Sequence, residues 1–177
     1  LVFYFTISTD KVKRMKSPFL HILLIALGVG FLAVSMYDVK YVEGNSMAPT
    51  LNDNEAVIIY RWAYGLQPPL VHRYLLRWGR VAPGELVYFH DPVCRYPVVK
   101  RCAGAADTVI LYSRDEMRVG DAQLSEAEIF QRDLLNMQVI PDGKLFLLGD
   151  NRRVSFDSRH YGLIDEENIE GRIIRLW

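Results

Sequence analysis

At 177 residues, half of them apolar, the chain is long enough for one domain with a sizeable core, and ordinary glycine and proline counts exclude fibrous and disordered classes. The 21 basic and 21 acidic residues cancel to a formal charge of zero, so nothing electrostatic marks nucleic acid as a partner. The two cysteines, Cys94 and Cys102, have no histidines at zinc-ligand spacing; they read as free, partly buried thiols or, in an oxidising compartment, as a local disulfide.

In chain order, the first segment (1–17) carries Lys11, Lys13, Arg14 and Lys16; the chain opens on Leu1, and Met15 is a second candidate start. Pro18 to Met36, PFLHILLIALGVGFLAVSM, contains no Asp, Glu, Lys or Arg, and its one awkward side chain, His21, sits near an end. As a helix it spans about 28 Å at ~1.5 Å per residue, close to the ~30 Å hydrocarbon thickness of a bilayer. Basic residues before it and the mixed set Asp38, Lys40 and Glu43 after it predict a cytoplasmic N-terminus, a transmembrane anchor over 18–36 and an extracytoplasmic domain over 37–177. A cleavable signal peptide ending near Ala33-Val34-Ser35 and a buried helix of a soluble domain compete with this. The run is long for the first, and the second does not need the basic flank.

Beyond the anchor the pattern alternates. Strands are predicted at Ala56–Tyr60, Glu85–His90, Val98–Arg101, Thr108–Tyr112 and Lys144–Leu148, with turn signals at Pro83-Gly84 and Asp142-Gly143. Met117–Leu124 reads as a hairpin around Gly120-Asp121. Ser125–Leu135 reads as a short helix with Ser125 and Glu128 as its capping box. The stretch Ala63–Arg80, with Pro68-Pro69 and several aromatics, reads as a long loop or extended hairpin. Its aromatics either pack under that loop or form an interfacial patch. The fold class is mostly β, one extracytoplasmic domain on a helical tether.

A hydroxyl nucleophile needs a base. His72, His90 and His160, with Asp91, Asp150 or Asp157 as orienting carboxylates, leave a Ser-His-Asp triad open, although no Gly-x-Ser-x-Gly elbow is present. No His-Glu-x-x-His or other clustered ligand set suggests a metal. Lysine is the other route. In PVVKRCAG, strand alternation puts Lys100 on one face with Val98 and Cys102, opposite Val99 and Arg101. If that face is inward, burial lowers the amine's pKa; reaching neutrality from ~10.4 takes about 3 units, or roughly 4 kcal/mol. A lysine whose stem packs while its head reaches water is the plainer reading.

The combination of GNSMAPTL at 44–51, GELVYF at 84–89, VVKR at 98–101 and GDNRRVSFDSRHYG at 149–162 resembles the type I signal peptidase family, in order and spacing. The resemblance implies a β-rich catalytic domain on a single N-terminal transmembrane helix in the plasma (inner) membrane. It implies no cofactor or metal, and cleavage of signal peptides from exported precursors after small residues at −3 and −1. Precursor proteins bearing signal peptides and membrane lipid are then the partners, with no nucleic acid and the oligomeric state left open. Ser46 falls on the family's nucleophile, Lys100 on its general base and Ser155 on the serine that orients the lysine. Gly44, Asn45, Met47 and Pro49 belong to the nucleophile loop. Gly149, Asp150, Asn151, Asp157, Ser158 and Arg159 fall on the motif that supports the site.

Three departures from the family pattern stand out. Gly44 replaces a serine that assists the oxyanion in some members, Glu85 stands where aspartate is usual, and KRCAGAAD is shorter than the usual turn and lacks its proline. The last departure leaves a second reading, a non-catalytic, membrane-tethered binding protein that retains the peptidase fold. A self-cleaving regulatory peptidase with the same Ser/Lys chemistry fits less well, because the chain has an apolar anchor and no DNA-binding helices.

Overall fold

The computed structural model describes residues 18–67 and 74–175. The basic flank at 11–16, Met15, the Pro68-Pro69 pair and His72 lie outside the described residues. The chain divides into two compact units at the Val34–Ser35 boundary. In the first, α1 (Pro18–Met36) exposes its described side chains, among them Leu20, Ile22, Leu24, Ile25 and Leu27. Among the described residues no helix is long and apolar enough to cross a membrane. The side chains of Phe19 and of residues 31–34 lie outside the described ones.

In the second unit the strands are β1 (Tyr37–Tyr41), β2 (Ala56–Tyr60), β3 (Gly65–Leu66), β4 (Leu76–Arg77), β5 (Leu86–His90), β6 (Pro97–Gly104), β7 (Ile110–Ser113), β8 (Glu116–Val119), β9 (Ala122–Ser125), β10 (Lys144–Leu148), β11 (Ile164–Asp165) and β12 (Ile169–Arg175). Seven form an antiparallel sheet in the order β1-β2-β12-β5-β6-β10-β11. Its sequence periodicity explains its burial. In β5, Val87 and Phe89 join a core with Cys102, Leu145, Leu147 and Ile169, while Leu86 and Tyr88 pack into another with Val57, Ile59 and Ile173. A third core lies between β10 and the three-stranded sheet β7-β8-β9, around Met117, Leu134 and Phe146.

The sheet curls. β1 and the first half of β6 are separated by three strands in the sheet order, yet both line one cavity of about 370 Å³. A register shift at Ile169/Gly171 in β12 bends the sheet between them, and a second, at Phe146/Leu147 in β10, lies beyond β6. β10 pairs with β6 only from Arg101 onward, so the stretch before Lys100 keeps one edge unpaired, and β1 is itself an edge strand.

Most predicted strands stand close to their expected bounds, and the Met117–Leu124 hairpin turns at Gly120-Asp121 as expected. Two local expectations are corrected. Thr108 belongs to a turn rather than a strand: its hydroxyl accepts the Ala105 N–H and its own N–H bonds the Ala105 carbonyl. Ser125–Leu135 is not a helix. Ser125 ends β9, and the chain runs through two short 3₁₀ turns, Glu126–Glu128 and Arg132–Asn136. Glu128 does bond the Ser125 N–H and hydroxyl, but Phe130 and Gln131 give their N–H groups to the Arg159 carbonyl, which removes the donors a helix would need. Within Ala63–Arg80, β3 and β4 pair as a short hairpin, and the packed reading holds for part of its aromatics. Tyr64 is buried and Tyr74 packs on the same core, whereas Leu75, Leu76 and Trp78 are exposed.

Candidate active site

Ser46 sits in the loop joining β1 to β2. The loop is closed at its base by Val42 N–H to Glu55 O (2.9 Å) and Asn54 N–H to Val42 O (2.8 Å). Gly44 has φ +82°, a left-handed conformation that suits glycine, and its N–H donates to Asp53 Oδ1 at 2.7 Å. The Asn45 carbonyl accepts from Ala48, and the Met47 carbonyl accepts from Leu51. Met47 and Leu51 are fully buried and pin the loop from below, and Pro49 follows a cis peptide bond in its turn. Ser46 is left half-buried on the cavity wall, beside Val42, Tyr88, Val98 and Val99.

Lys100, 54 residues away in sequence, places Nζ 3.0 Å from Ser46 Oγ. It is 3% exposed, so the face of β6 that it shares with Cys102 is the inward one, and the plainer reading of a lysine head in water is corrected. Burial lowers its pKa from the usual 10.5. Asp157 and Asp91 oppose that shift and Arg159 adds to it.

The third part of the site is the stretch after β10. Asn151 N–H donates to the Ser46 carbonyl at 3.0 Å, so this turn holds the nucleophile's own backbone. Gly149 has to be glycine for contact reasons: a Cβ there would lie 2.6 Å from the Ser46 carbonyl oxygen and 2.1 Å from Ser155 Oγ. Asp157 is fully buried. It accepts from Gly149 N–H (3.0 Å) and from Arg159 Nε (2.8 Å) and Nη2 (3.0 Å). Burial alone would raise its pKa, but the Arg159 hydrogen bonds and the Gly149 amide hold it below the usual range. Arg159, also buried, further reaches the Arg152 and Ser155 carbonyls and Glu128, so the Asp157–Arg159 pair is an interior element and not a surface one. Ser158 Oγ accepts the Leu147 N–H at 2.9 Å and fixes the turn to β10.

One expected contact is absent. Among the described residues Ser155 Oγ is buried with no hydrogen-bond partner at bonding geometry, so the bond from Ser155 to Lys100 is not formed. The lysine amine is turned to Ser46, while the serine hydroxyl lies against Gly149 and close enough to Asp157 to lower that acid's pKa. His90 and His160 are engaged elsewhere than at Ser46. His90 Nδ1 is bonded to Glu170, and His160 Nδ1 accepts the Asp157 N–H. Among the described residues no metal-ligand cluster occurs. Both cysteines are free, Cys94 exposed and Cys102 buried, so the disulfide reading is set aside.

The departures resolve by position. Glu85 accepts from Tyr64 and Arg172, tying β5 to β12 away from Ser46. The short turn after β6 packs against Ile140 and Val119 through Gly104, at the end of the strand opposite the cavity-lining Pro97–Val99. Sequence reasoning did not single out Arg101. It clamps Asp150 with two hydrogen bonds (2.8 and 2.6 Å), reaches the Gly84 carbonyl, and contacts Thr50 Oγ1 in the nucleophile loop at 3.4 Å. Its place beside Lys100 on the outward face of the same strand was the available signal.

Residues 15–177 match the family model described as signal peptidase, peptidase S26. Signal peptidase I U of Bacillus subtilis is 28% identical, over 94% of this chain and 89% of its own length. Signal peptidase IB of Staphylococcus aureus is 34% identical, over 84% of this chain and 81% of its own length. A crystal structure of a signal peptidase I from Enterococcus faecalis superposes with a TM-score of 0.41 at 23% identity, covering 54% of this chain and 98% of that one, a likeness too loose to carry residue roles.

Proposed function

Because the chain belongs to the signal peptidase family, peptidase S26, we infer that it is a serine endopeptidase that removes signal peptides from precursor proteins, and we propose Ser46 as its nucleophile and Lys100 as its base. The 3.0 Å separation of Lys100 Nζ from Ser46 Oγ, with the amine buried, is the observation that carries this reading. Neutral Lys100 takes the Ser46 proton as Oγ attacks the scissile carbonyl. The resulting ammonium then protonates the leaving amine, and water, deprotonated in turn by Lys100, releases the acyl group. Ser155 Oγ, buried and unpartnered, is the hydroxyl left to orient the lysine once its proton has moved. With glycine at 44, oxyanion stabilisation rests on backbone donors such as the Ser46 N–H.

The substrate enters as an extended strand between the free edge of β1 and the unpaired stretch of β6 before Lys100, lying over the cavity lined by Val42, Val57, Tyr88 and Val99. Alternate side chains at −1 and −3 point into that cavity, whose limited volume selects small residues, and −2 points away. The apolar run 18–36 anchors the enzyme as a single-pass inner-membrane protein with residues 37–177 on the extracytoplasmic side. The charge asymmetry of the sequence supports that orientation. The non-catalytic reading loses its ground, because the altered turn after Lys100 does not line the cavity.

Processing of a precursor by the full chain and by the S46A and K100A variants tests the proposal. Loss of cleavage in both is expected; unchanged cleavage in both overturns it.

A further inference from the structure

His160 is absorbed by none of the roles above, yet it touches the support of the site directly. It lies in α2 (Ser158–Tyr161), whose N-cap is Asp157, and the two residues form a reciprocal capping box in which His160 Nδ1 accepts the Asp157 N–H at 3.3 Å. An imidazole nitrogen that accepts must carry no proton, so this contact requires neutral His160 with its hydrogen on Nε2. The ring is held between two aromatic neighbours, Phe130 at 4.5 Å with near-parallel planes and Phe156 at 4.6 Å. Its side chain is 22% exposed, so protons reach it.

We propose that neutral His160 is a positioning residue for the Ser46–Lys100 pair, and that its protonation opens the Asp157 box on which that pair depends. The path is short and runs through contacts already described. His160 fixes the Asp157 backbone, the Asp157 carboxylate holds the Gly149 N–H, and Gly149 packs against the Ser46 carbonyl and Ser155. Protonation turns Nδ1 from acceptor to donor. The Asp157 N–H then loses its partner, and the new N–H faces Asp157 Oδ1 3.9 Å away, where it competes with Arg159 for the carboxylate that holds Gly149.

The charges bearing on the ring are Asp157 and Arg159 from its own segment and Lys100 from β6, while the segment after β9 contributes the uncharged Phe130. Burial holds the His160 pKa below 6.5; Asp157 opposes this, and Arg159 and Lys100 reinforce it. The site is therefore intact near neutrality and comes apart on acidification.

The inference rests on the Ser46/Lys100 reading, and one experiment separates their failures. The pH dependence of kcat and KM for peptide cleavage is measured on the full chain in detergent micelles, for wild type and for S46A, H160A and H160N. In the wild type the acid limb of log kcat against pH reaches a slope of two once Lys100 and His160 are both protonated, because two groups must be deprotonated. H160A lowers kcat about tenfold, as expected for loss of a cap of ordinary strength, with KM unchanged. H160N, whose side-chain oxygen accepts a backbone N–H without titrating, recovers most of that loss and keeps a slope of one throughout. An H160A enzyme with wild-type kcat and slope, or an H160N enzyme whose acid limb still steepens to two, overturns the proposal. Activity surviving in S46A overturns the underlying reading instead. Should H160A fail to fold, the slope of H160N decides alone.

Discussion

Gly149 and Gly44 flank the same serine for different physical reasons, and substitution separates them. A methyl on Gly149 meets the Ser46 carbonyl oxygen at 2.6 Å and the buried Ser155 side chain, so Gly149→Ala displaces the nucleophile and lowers stability by about 1–3 kcal/mol. A methyl on Gly44 meets nothing within 4 Å and costs only its positive φ, about 1 kcal/mol. Urea unfolding and precursor cleavage should rank G149A far below G44A on activity. Titration gives a second residue-scale prediction. Asp157 has a folded pKa below the unfolded value of 3.8, so its contribution is fully present above pH 3.8 and is lost as pH falls through the lower folded value. Unfolding free energy should therefore fall below about pH 4, and D157N should remove Asp157's share of that fall while the other paired carboxylates keep theirs. Lys100 has the same sign in a higher pH window. Its folded pKa lies below 10.5, so the unfolded chain binds the proton more tightly and stability rises with pH between the two values. Activity should rise over the same lower edge as the amine becomes neutral.

At the scale of elements, β6 carries the base inward on Lys100 and a clamp outward on Arg101, and the clamp joins the nucleophile loop to the Gly-Asp-Asn turn. Arg101→Lys keeps the charge but loses the paired geometry to Asp150, so kcat should fall several-fold while the fold survives, measurable as a kcat loss at unchanged circular dichroism. What was legible in the sequence follows from the same physics. Strand bounds and the face Lys100 shares with Cys102 came from two-residue periodicity, which one sheet with packed faces obeys, whereas periodicity left open whether that face was buried. The helix expected at Ser125–Leu135 failed because its local signal, the Ser125–Glu128 box, is real, while the Arg159 carbonyl draws off the next two amides. Ser155's missing contact with Lys100 and Asn151's hold on Ser46 were invisible for another reason: both depend on where the curl of the sheet brings separate loops.

For the molecule as a whole, the boundary at Ser35 predicts that the catalytic unit is self-sufficient. The three cores and the buried Asp157–Arg159 pair all lie beyond it. A chain beginning at Ser35 should therefore unfold in one cooperative thermal transition. In that shortened chain R159A should lower stability by about 3–5 kcal/mol, because it strands a buried carboxylate. A broad, non-cooperative transition in the unsubstituted form would count against the boundary.

The two cysteines add a practical consequence. Cys102 is buried, and desolvation pushes its thiol pKa up to about 12, whereas Cys94 is exposed in the loop that leads into the cavity-lining Tyr96 and Pro97. A maleimide dye should therefore label the native protein at Cys94 alone, with no engineered residue. That fluorophore would sit at the rim of the cleft, where entry of a peptide changes its surroundings, and would report substrate arrival separately from bond cleavage.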